Sequence, residues 1–166
     1  MSYSRAPEAA AAAALRVYLP PIVNKVFTHE VQVHTADCDP AGIVFYPQFL
    51  VMTDGMKDDW FARGLGQSRP DLLSKRRLHV EPEEVRCDFS LPVRMGEALN
   101  FELSVLEIGD ASMRIRIVGK RHTVEHLSIT QSLAFVSLDT RRAVPVPEDL
   151  RPRIAEYLAA PEQASR

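Results

Sequence analysis

Residues 37–47 read DCDPAGIVFYP, and this stretch decides the fold prediction because it joins a strand to a helix. Its first part gathers aspartate, proline and glycine, the residues that favour turns. Its second part is apolar and ends on Pro47. Proline suits the first turn of a helix because the N–H that it lacks would have no partner there. The stretch therefore predicts a tight turn that leads directly into a helix.

The hydrophobic period differs on the two sides of this turn. Residues 26–34 alternate apolar and polar side chains, as a half-buried strand does. Residues 46–65 carry apolar side chains at helical spacing without an internal proline beyond Pro47, and Gly64 and Gly66 favour a stop. This helix is apolar over much of its surface, so we expect a sheet to wrap around it.

Four more segments have the composition and alternation of strands and are separated by turn-forming residues: 79–89, 98–108, 111–121 and 127–138. A short helix is predicted over 147–158. One strand, a long central helix and four antiparallel strands predict an α+β domain in which a curled sheet covers the helix. The predicted organisation is an N-terminal tail over 1–25, one domain over 26–158 and a C-terminal tail over 159–166.

The bulk properties exclude several classes of function. The 166 residues carry a formal net charge of −2, so no overall positive field would recruit nucleic acid or an anionic membrane. Cys38 and Cys87 form no metal-finger or disulfide framework, which favours a reducing, cytoplasmic location. We find neither an apolar run long enough for a membrane span nor the pattern of a signal peptide. No phosphate-binding or dinucleotide motif is present, and no cofactor is predicted.

The run over residues 37–47 resembles the signature of the 4-hydroxybenzoyl-CoA thioesterase family of hotdog proteins, because acid, proline, glycine, aromatic and second proline fall in that order. Residues 88–99 and 144–148 resemble later parts of the family pattern. The resemblance implies a hotdog fold, a curled antiparallel sheet wrapped around one long central helix. It also implies an acyl-CoA substrate and a homodimer with active sites at the subunit boundary, often assembled into a homotetramer.

The resemblance also implies a set of site residues. Asp39 would be the catalytic carboxylate, the backbone N–H of Tyr46 would polarise the thioester carbonyl, and Asp54 would meet a ring hydroxyl of the substrate. The physical chemistry agrees, since a helix N-terminus has unpaired N–H donors and a partial positive charge. Gly42 would let the backbone approach the thioester. Asp39 could attack the carbonyl to form a mixed anhydride or could deprotonate water, and the sequence leaves both routes open.

Other candidates are residue types suited to the two ends of an acyl-CoA. Phe45 and Trp60 are candidates to line an aromatic acyl pocket, although aromatic side chains at this spacing more often form core. Basic residues that could hold the CoA phosphates are Arg94, Lys120 and Arg121. No metal site is predicted, because the histidine pair His122 and His126 falls at a predicted hairpin turn rather than on a helix.

The sequence thus favours a hydrolase that acts on an aromatic, 4-hydroxybenzoyl-like acyl-CoA. A short- or medium-chain aliphatic acyl-CoA remains an alternative substrate. A non-catalytic acyl-CoA-binding hotdog module would keep the sheet but would need no carboxylate beside the thioester, so Asp39 within the full motif argues against it. A hotdog hydratase generally pairs a histidine with its acid, and His34 is the one nearby candidate.

Overall fold

The structure is a computed structural model that describes residues 24–160, and the predicted tails over 1–25 and 159–166 fall almost wholly outside that range. Its strands are β1 (Phe27–Gln32), β2 (Leu78–Phe89), β3 (Ala98–Ile108), β4 (Ser112–Arg121) and β5 (Val124–Ser137). Its α-helices are α1 (Tyr46–Asp59), α2 (Arg69–Arg76) and α3 (Arg151–Ala155). The α+β prediction of a curled antiparallel sheet with a central helix, the hotdog fold, is confirmed.

The five strands form one antiparallel sheet in the order β1-β3-β4-β5-β2. One face of this sheet is the core, because alternate residues of the inner strands are buried while their neighbours point outward. On β4, Met113, Ile115 and Ile117 are almost fully buried and Arg114 lies on the outer face. The strand therefore has one buried and one outward face, as the predicted alternation of this segment requires.

Helix α1 packs against the buried face of the sheet through Phe49, Thr53, Met56 and Lys57. It begins at Tyr46, as predicted, and Pro47 lies in its first turn. At Trp60 the α-helical hydrogen bonding changes to a π-helical turn, Trp60–Gly64, which completes the predicted helix over 46–65. The long central helix is therefore present, with a wider last turn.

Helix α2 was not predicted, although the sequence contains its start signals. The Ser68 side chain accepts a hydrogen bond from the Asp71 N–H at 3.2 Å, which caps the helix, and Pro70 lies in the first turn. The C-terminal helix α3 spans only five residues, whereas the sequence predicted a helix over 147–158. The segment after α3 instead pairs with the sheet, since Leu158 forms a bridge with Val105.

Candidate active site

The turn that carries Asp39 is a short hairpin immediately before α1. Cys38 pairs with Val44, the Asp39 N–H donates to the Ile43 carbonyl at 2.8 Å, and the Gly42 N–H donates to the Asp39 carbonyl at 2.9 Å. Gly42 has a φ of 74°, the left-handed region that glycine occupies without strain. The glycine is therefore required by the backbone of the turn itself.

The carboxylate of Asp39 is anchored on one side only. Its Oδ1 accepts hydrogen bonds from the Ala41 N–H at 2.9 Å and from the Ile43 N–H at 3.1 Å. Within residues 24–160, Oδ2 has no hydrogen-bond donor, and the residue is exposed. The anchoring fixes the direction of the carboxylate while one oxygen remains available to attack a carbonyl or to accept a proton from water.

The start of α1 is tied to the same hairpin. The Phe45 N–H donates to the Asp37 carbonyl at 2.9 Å, and Tyr46 follows as the first helical residue. The N–H groups of a first helical turn have no acceptor within the helix, and Pro47 has no N–H at all. Within residues 24–160 the Tyr46 N–H has no hydrogen-bond acceptor, and it lies at the positive end of the helix, beside the Asp39 hairpin.

A second loop forms the other wall of the site. The Val44 N–H donates to the Val93 carbonyl at 2.9 Å, the Met95 N–H donates to the Gly42 carbonyl at 3.0 Å, and Ile43 bridges Arg94. His126 of β5 supports this loop, because its Nδ1 lies 3.1 Å from the Pro92 carbonyl oxygen. The packing of residues 90–96 on the Asp39 hairpin was not predicted, because it depends on tertiary contacts between distant parts of the chain.

Between this loop and α1 lies an open, mostly apolar cleft of about 340 Å³. Its walls include Tyr46, Phe49 and Phe89, whose rings contact one another with centroids 5.7 Å apart for Phe49–Phe89 and 6.3 Å apart for Tyr46–Phe89. Phe45 is half exposed beside it and contacts the Tyr46 ring. Apolar walls next to a carboxylate and a helix N-terminus suit an acyl group whose carbonyl must be polarised.

A larger depression of about 520 Å³ lies on the outer face of the sheet. It is lined by strand residues, among them Arg86 and Asp88, which pair with each other at 3.1 Å, and Ser128 and Thr130 of β5. The smaller cleft is the candidate site, because it contains the helix start whereas the larger depression lies on the opposite side of the sheet from α1.

The remaining predicted site residues lie at different distances from the hairpin. Trp60 is fully buried in the core, where it packs edge-on against Phe61 and Tyr157, so its indole does not line the cleft. Asp54 lies further along α1, with its Oδ1 3.0 Å from the Lys57 Nζ. Its pKa is pushed up by burial, but the hydrogen bond and charge of Lys57, with those of Arg69, outweigh this and lower it below the ordinary value.

The three basic candidates differ in their partners. Lys120 pairs with Glu102 at 2.6 Å and Arg121 pairs with Glu97 at 2.8 Å. The Arg94 guanidinium has no carboxylate within ion-pair distance among the described residues, and Arg94 borders the hairpin through Ile43. Of the three, Arg94 is the cation that is both unpaired and next to the cleft.

Cys38 of the hairpin and His122 of the predicted histidine pair belong to residue types that often act as nucleophiles or metal ligands. Burial raises the pKa of the Cys38 thiol, and the charges of Asp37 and Asp39 raise it further, which disfavours the nucleophilic thiolate. His122 lies in the turn between β4 and β5, with a φ of 52°, as the predicted hairpin requires. In residues 24–160, no group of three or more metal-ligating side chains is close enough together to hold an ion.

The curled sheet over one helix, with a carboxylate-bearing hairpin at the helix start, defines the class as a hotdog protein with a candidate hydrolytic site. A family described as the thioesterase-like superfamily matches residues 33–154, and the chain belongs to that superfamily. Membership places the protein among thioester hydrolases. None of the helices in the described range has the length and hydropathy needed to cross a membrane.

Several solved structures share the fold. A 1,4-dihydroxy-2-naphthoyl-CoA thioesterase from Synechocystis is 22% identical, with 78% of this chain and 96% of that chain covered at a TM-score of 0.72. A variant of 4-hydroxybenzoyl-CoA thioesterase complexed with 4-hydroxybenzoyl-CoA is 20% identical, with 78% and 98% covered at 0.72. A Staphylococcus aureus protein in complex with CoA is 14% identical, with 87% and 94% covered at 0.75. Among curated proteins, no significant match is found.

Proposed function

We propose that this protein is a cytoplasmic thioesterase that hydrolyses an aromatic, hydroxylated acyl-CoA to the free acid and CoA. The observation that carries the proposal is the Asp39 hairpin. It presents a half-anchored carboxylate beside the lone N–H of Tyr46 at the mouth of an apolar cleft. The solved relatives with aromatic acyl-CoA names and the complex with CoA support the choice of substrate class.

In the proposed mechanism the thioester carbonyl oxygen accepts a hydrogen bond from the Tyr46 N–H, and the helix N-terminus stabilises the negative charge that develops there. In one route the Asp39 carboxylate attacks the carbonyl carbon, CoA leaves as the thiolate, and water then hydrolyses the mixed anhydride to the free acid. In the other route Asp39 removes a proton from the water that attacks the carbonyl carbon, and CoA leaves as the thiolate. The space beside Gly42 is open, since a Cβ at this position would have no heavy atom within 4 Å. The thioester can therefore come close to the hairpin backbone at Gly42. No cofactor takes part in either route.

The acyl group would lie in the cleft beside Phe45 and Tyr46, with Asp54 accepting a hydrogen bond from a hydroxyl on the ring. Trp60 is not included in this proposal, because it is fully buried in the core. A short- or medium-chain aliphatic acyl group would fit the same apolar walls but would offer Asp54 no hydrogen-bond donor, so the aromatic class is preferred.

The substrate class is tested by thiol release from a panel of CoA thioesters: 4-hydroxybenzoyl, benzoyl, phenylacetyl and straight-chain acyl groups. We expect the highest kcat/KM for the hydroxylated aromatic thioester. If a straight-chain acyl-CoA had the highest kcat/KM, the aromatic assignment would be wrong, while the assignment as a thioesterase would stand. Binding of a non-hydrolysable acyl-CoA without turnover of any thioester would instead favour a binding module.

We further propose that the protein forms a homodimer, and by family analogy a homotetramer, with the cleft completed at the subunit boundary. Among the strands of residues 24–160, β2 is a long edge strand whose single neighbour is β5. An unpaired strand edge readily accepts another strand. Phe89 and Val85 on β2, and Tyr46 at the start of α1, are about half exposed in the single chain. A second copy that packs over this apolar surface would complete the walls of the cleft.

Arg94 is proposed to hold a CoA phosphate, with Lys120 and Arg121 further along the same end of the sheet. We expect Arg94→Ala to raise the KM for acyl-CoA by about tenfold and to leave kcat almost unchanged, because a charge-assisted hydrogen bond to phosphate contributes to binding and not to the chemical step. Steady-state kinetics at low and high salt measures this.

Arg142→Ala is the matched control for this prediction. Arg142 is also exposed and has no carboxylate partner within residues 24–160, but it lies at the far end of β5, where its carbonyl accepts the Ser137 N–H. It should leave KM unchanged. If both variants shifted KM equally, a diffuse charge effect would replace a specific role for Arg94.

A further inference from the structure

The described part of the chain contains one buried lysine, and the proposed mechanism does not use it. The Lys57 side chain is only 8% exposed and lies between α1 and the sheet. Its Nζ is 2.9 Å from the Gln131 Oε1 and 3.0 Å from the Asp54 Oδ1. Gln131 is itself buried, on β5. An ammonium has three donors, so these two acceptors leave one free.

A buried ammonium requires an explanation because it is costly. Transfer of a charge out of water carries a large free-energy penalty, and an apolar side chain of similar volume often replaces such a pair without loss of stability. Methionine at position 57 would fill the same space without that penalty. The ammonium therefore points to a role toward its partner Asp54, whose side chain is about half exposed and open to a ligand.

The location of Lys57 relates it to the acyl cleft. Paired residues of an antiparallel sheet share a face, and β2 and β5 pair as Phe89 with Leu127, Cys87 with Ile129, and Val85 with Gln131. The side chains of Phe89, Cys87 and Val85 therefore lie on the helix side of the sheet, beyond the edge of α1. We name this open strip the acyl trough, defined by Phe89, Cys87 and Val85.

Helix α1 runs alongside the acyl trough. The Phe49 ring contacts Phe89 at one end, and Lys57 contacts Gln131, the pairing partner of Val85, at the other. The rise along the helix between these contacts is about 12 Å, and the rise along the strand is about 14 Å. The two lengths agree, so the trough extends from the helix start to the Lys57–Gln131 pair.

Asp54 lies at this far end of the trough. Besides Lys57, the Arg69 side chain of α2 reaches it, with Nη1 3.4 Å from Oδ1, and α2 leads directly into the start of β2. Arg69 lies closer to Asp58, at 2.8 Å, than to Asp54. With its Nζ 3.0 Å from Oδ1, Lys57 is the nearer cation to Asp54. The acyl trough thus has an electrophilic helix start at one end and a carboxylate held by a buried ammonium at the other.

We propose that Lys57, held by Gln131, is the positioning residue that fixes Asp54 as a hydrogen-bond acceptor at the far end of the acyl trough, so that the site selects acyl groups carrying a hydroxyl donor. The inference rests on the proposed thioesterase function and adds to it the residue that sets acyl specificity. An ionised carboxylate accepts a hydroxyl hydrogen bond strongly, whereas an aryl group without the hydroxyl leaves that carboxylate without a ligand partner.

The test compares kcat/KM for 4-hydroxybenzoyl-CoA and benzoyl-CoA in the full-length chain. In the wild type we expect a ratio of about tenfold or more, the effect of one hydrogen bond to a charged group. Lys57→Met should bring the ratio close to one while hydrolysis of benzoyl-CoA stays within about threefold. Asp54→Asn, at a half-exposed position that tolerates substitution, should lower the ratio as well, and the double variant should add little to either single change.

Lys75→Met is the matched control, because Lys75 pairs with Asp71 at 3.0 Å on the exposed surface of α2. It should leave the ratio unchanged. A second readout is the titration of the Asp54 carboxyl followed by carbon NMR. Lys57→Met should raise the pKa of Asp54, because the nearer of its two positive partners is removed while burial remains. A purely structural role for Lys57 would leave the substrate ratio unchanged.

The outcomes separate this inference from the proposed function. Equal kcat/KM values for the two substrates in the wild type would overturn the inference, and the thioesterase function would stand. The same conclusion would follow if Asp54→Asn lowered the ratio and Lys57→Met left it unchanged. No hydrolysis of any thioester would overturn both. If Lys57→Met does not fold, Lys57→Gln, which keeps a donor for Gln131, decides the question by the same ratio.

Discussion

Asp39→Asn is expected to lower kcat for acyl-CoA hydrolysis by about a thousandfold, the range in which removal of a catalytic base or nucleophile falls. This corresponds to about 4 kcal/mol of transition-state stabilisation. Affinity for a non-hydrolysable acyl-CoA should be almost unchanged. The reason is structural: the asparagine Oδ1 can still accept the hydrogen bonds from the Ala41 and Ile43 N–H groups, so the hairpin is kept. Thiol release and isothermal titration measure the two quantities.

Asp37→Asn is the matched control for Asp39. Both carboxylates belong to the same loop, and both accept hydrogen bonds from the backbone, Asp37 from the His34 N–H at 2.8 Å. Asparagine keeps that bond as well, so activity should stay within about threefold of the wild type, since only the charge is lost. Full activity of Asp39→Asn would refute the assigned chemistry. Equal losses in the two variants would indicate an effect of loop charge.

The second large effect concerns the free energy of unfolding. A glycine-to-alanine substitution should change it in opposite directions at Gly55 in α1 and at Gly64 in the π-helical turn that follows. A Cβ at Gly64 would lie 2.6 Å from the Trp60 Cδ1 and 2.9 Å from the Tyr157 hydroxyl oxygen. Gly64→Ala should therefore lower the free energy of unfolding by about 2 kcal/mol, as overpacking of a core does. A Cβ at Gly55 would meet nothing within 4 Å. Gly55→Ala should instead raise the free energy of unfolding by about 0.7 kcal/mol, because alanine favours helix.

Urea unfolding followed by circular dichroism measures both changes as shifts of the midpoint at constant slope. The comparison is informative because the substitution and the helix are the same and only the surroundings differ. The π-helical turn brings Gly64 against the indole, and Tyr157 of the C-terminal segment closes over it. Equal shifts for Gly64→Ala and Gly55→Ala would show that the π-helical turn is loosely packed.

The fold was largely predictable because its determinants are local. β3 has the predicted bounds, and α1 begins at the predicted Tyr46, since alternation and helical spacing are properties of neighbouring residues. α2 was missed although Ser68 and Pro70 are standard start signals, because an eight-residue helix adds little periodicity. The predicted C-terminal helix was too long, because tertiary pairing of Leu158 with Val105 competes with helix continuation.

The candidate site divides in the same way. The motif predicted that Asp39 lies in a turn at the start of the helix, and the structure contains that turn. The catalytic role of Asp39 stays a prediction. Lys57 was not singled out, although the sequence offered a signal. It falls on the stripe of Phe49, Thr53 and Met56 that faces the sheet, where a charged residue is unusual.

What the sequence by itself determined is therefore the hairpin, the start of α1 and the strands, because each depends on residues adjacent in the chain. What only the tertiary structure decided is which distant residues meet them. Arg94 borders the Asp39 hairpin, and Lys57 contacts Gln131 across 74 positions of sequence. Such contacts depend on the order and register of the strands, and in this protein β2, which follows α2 in the chain, lies beside β5 at the edge of the sheet. That placement forms the trough along α1, and short-range sequence patterns do not encode it.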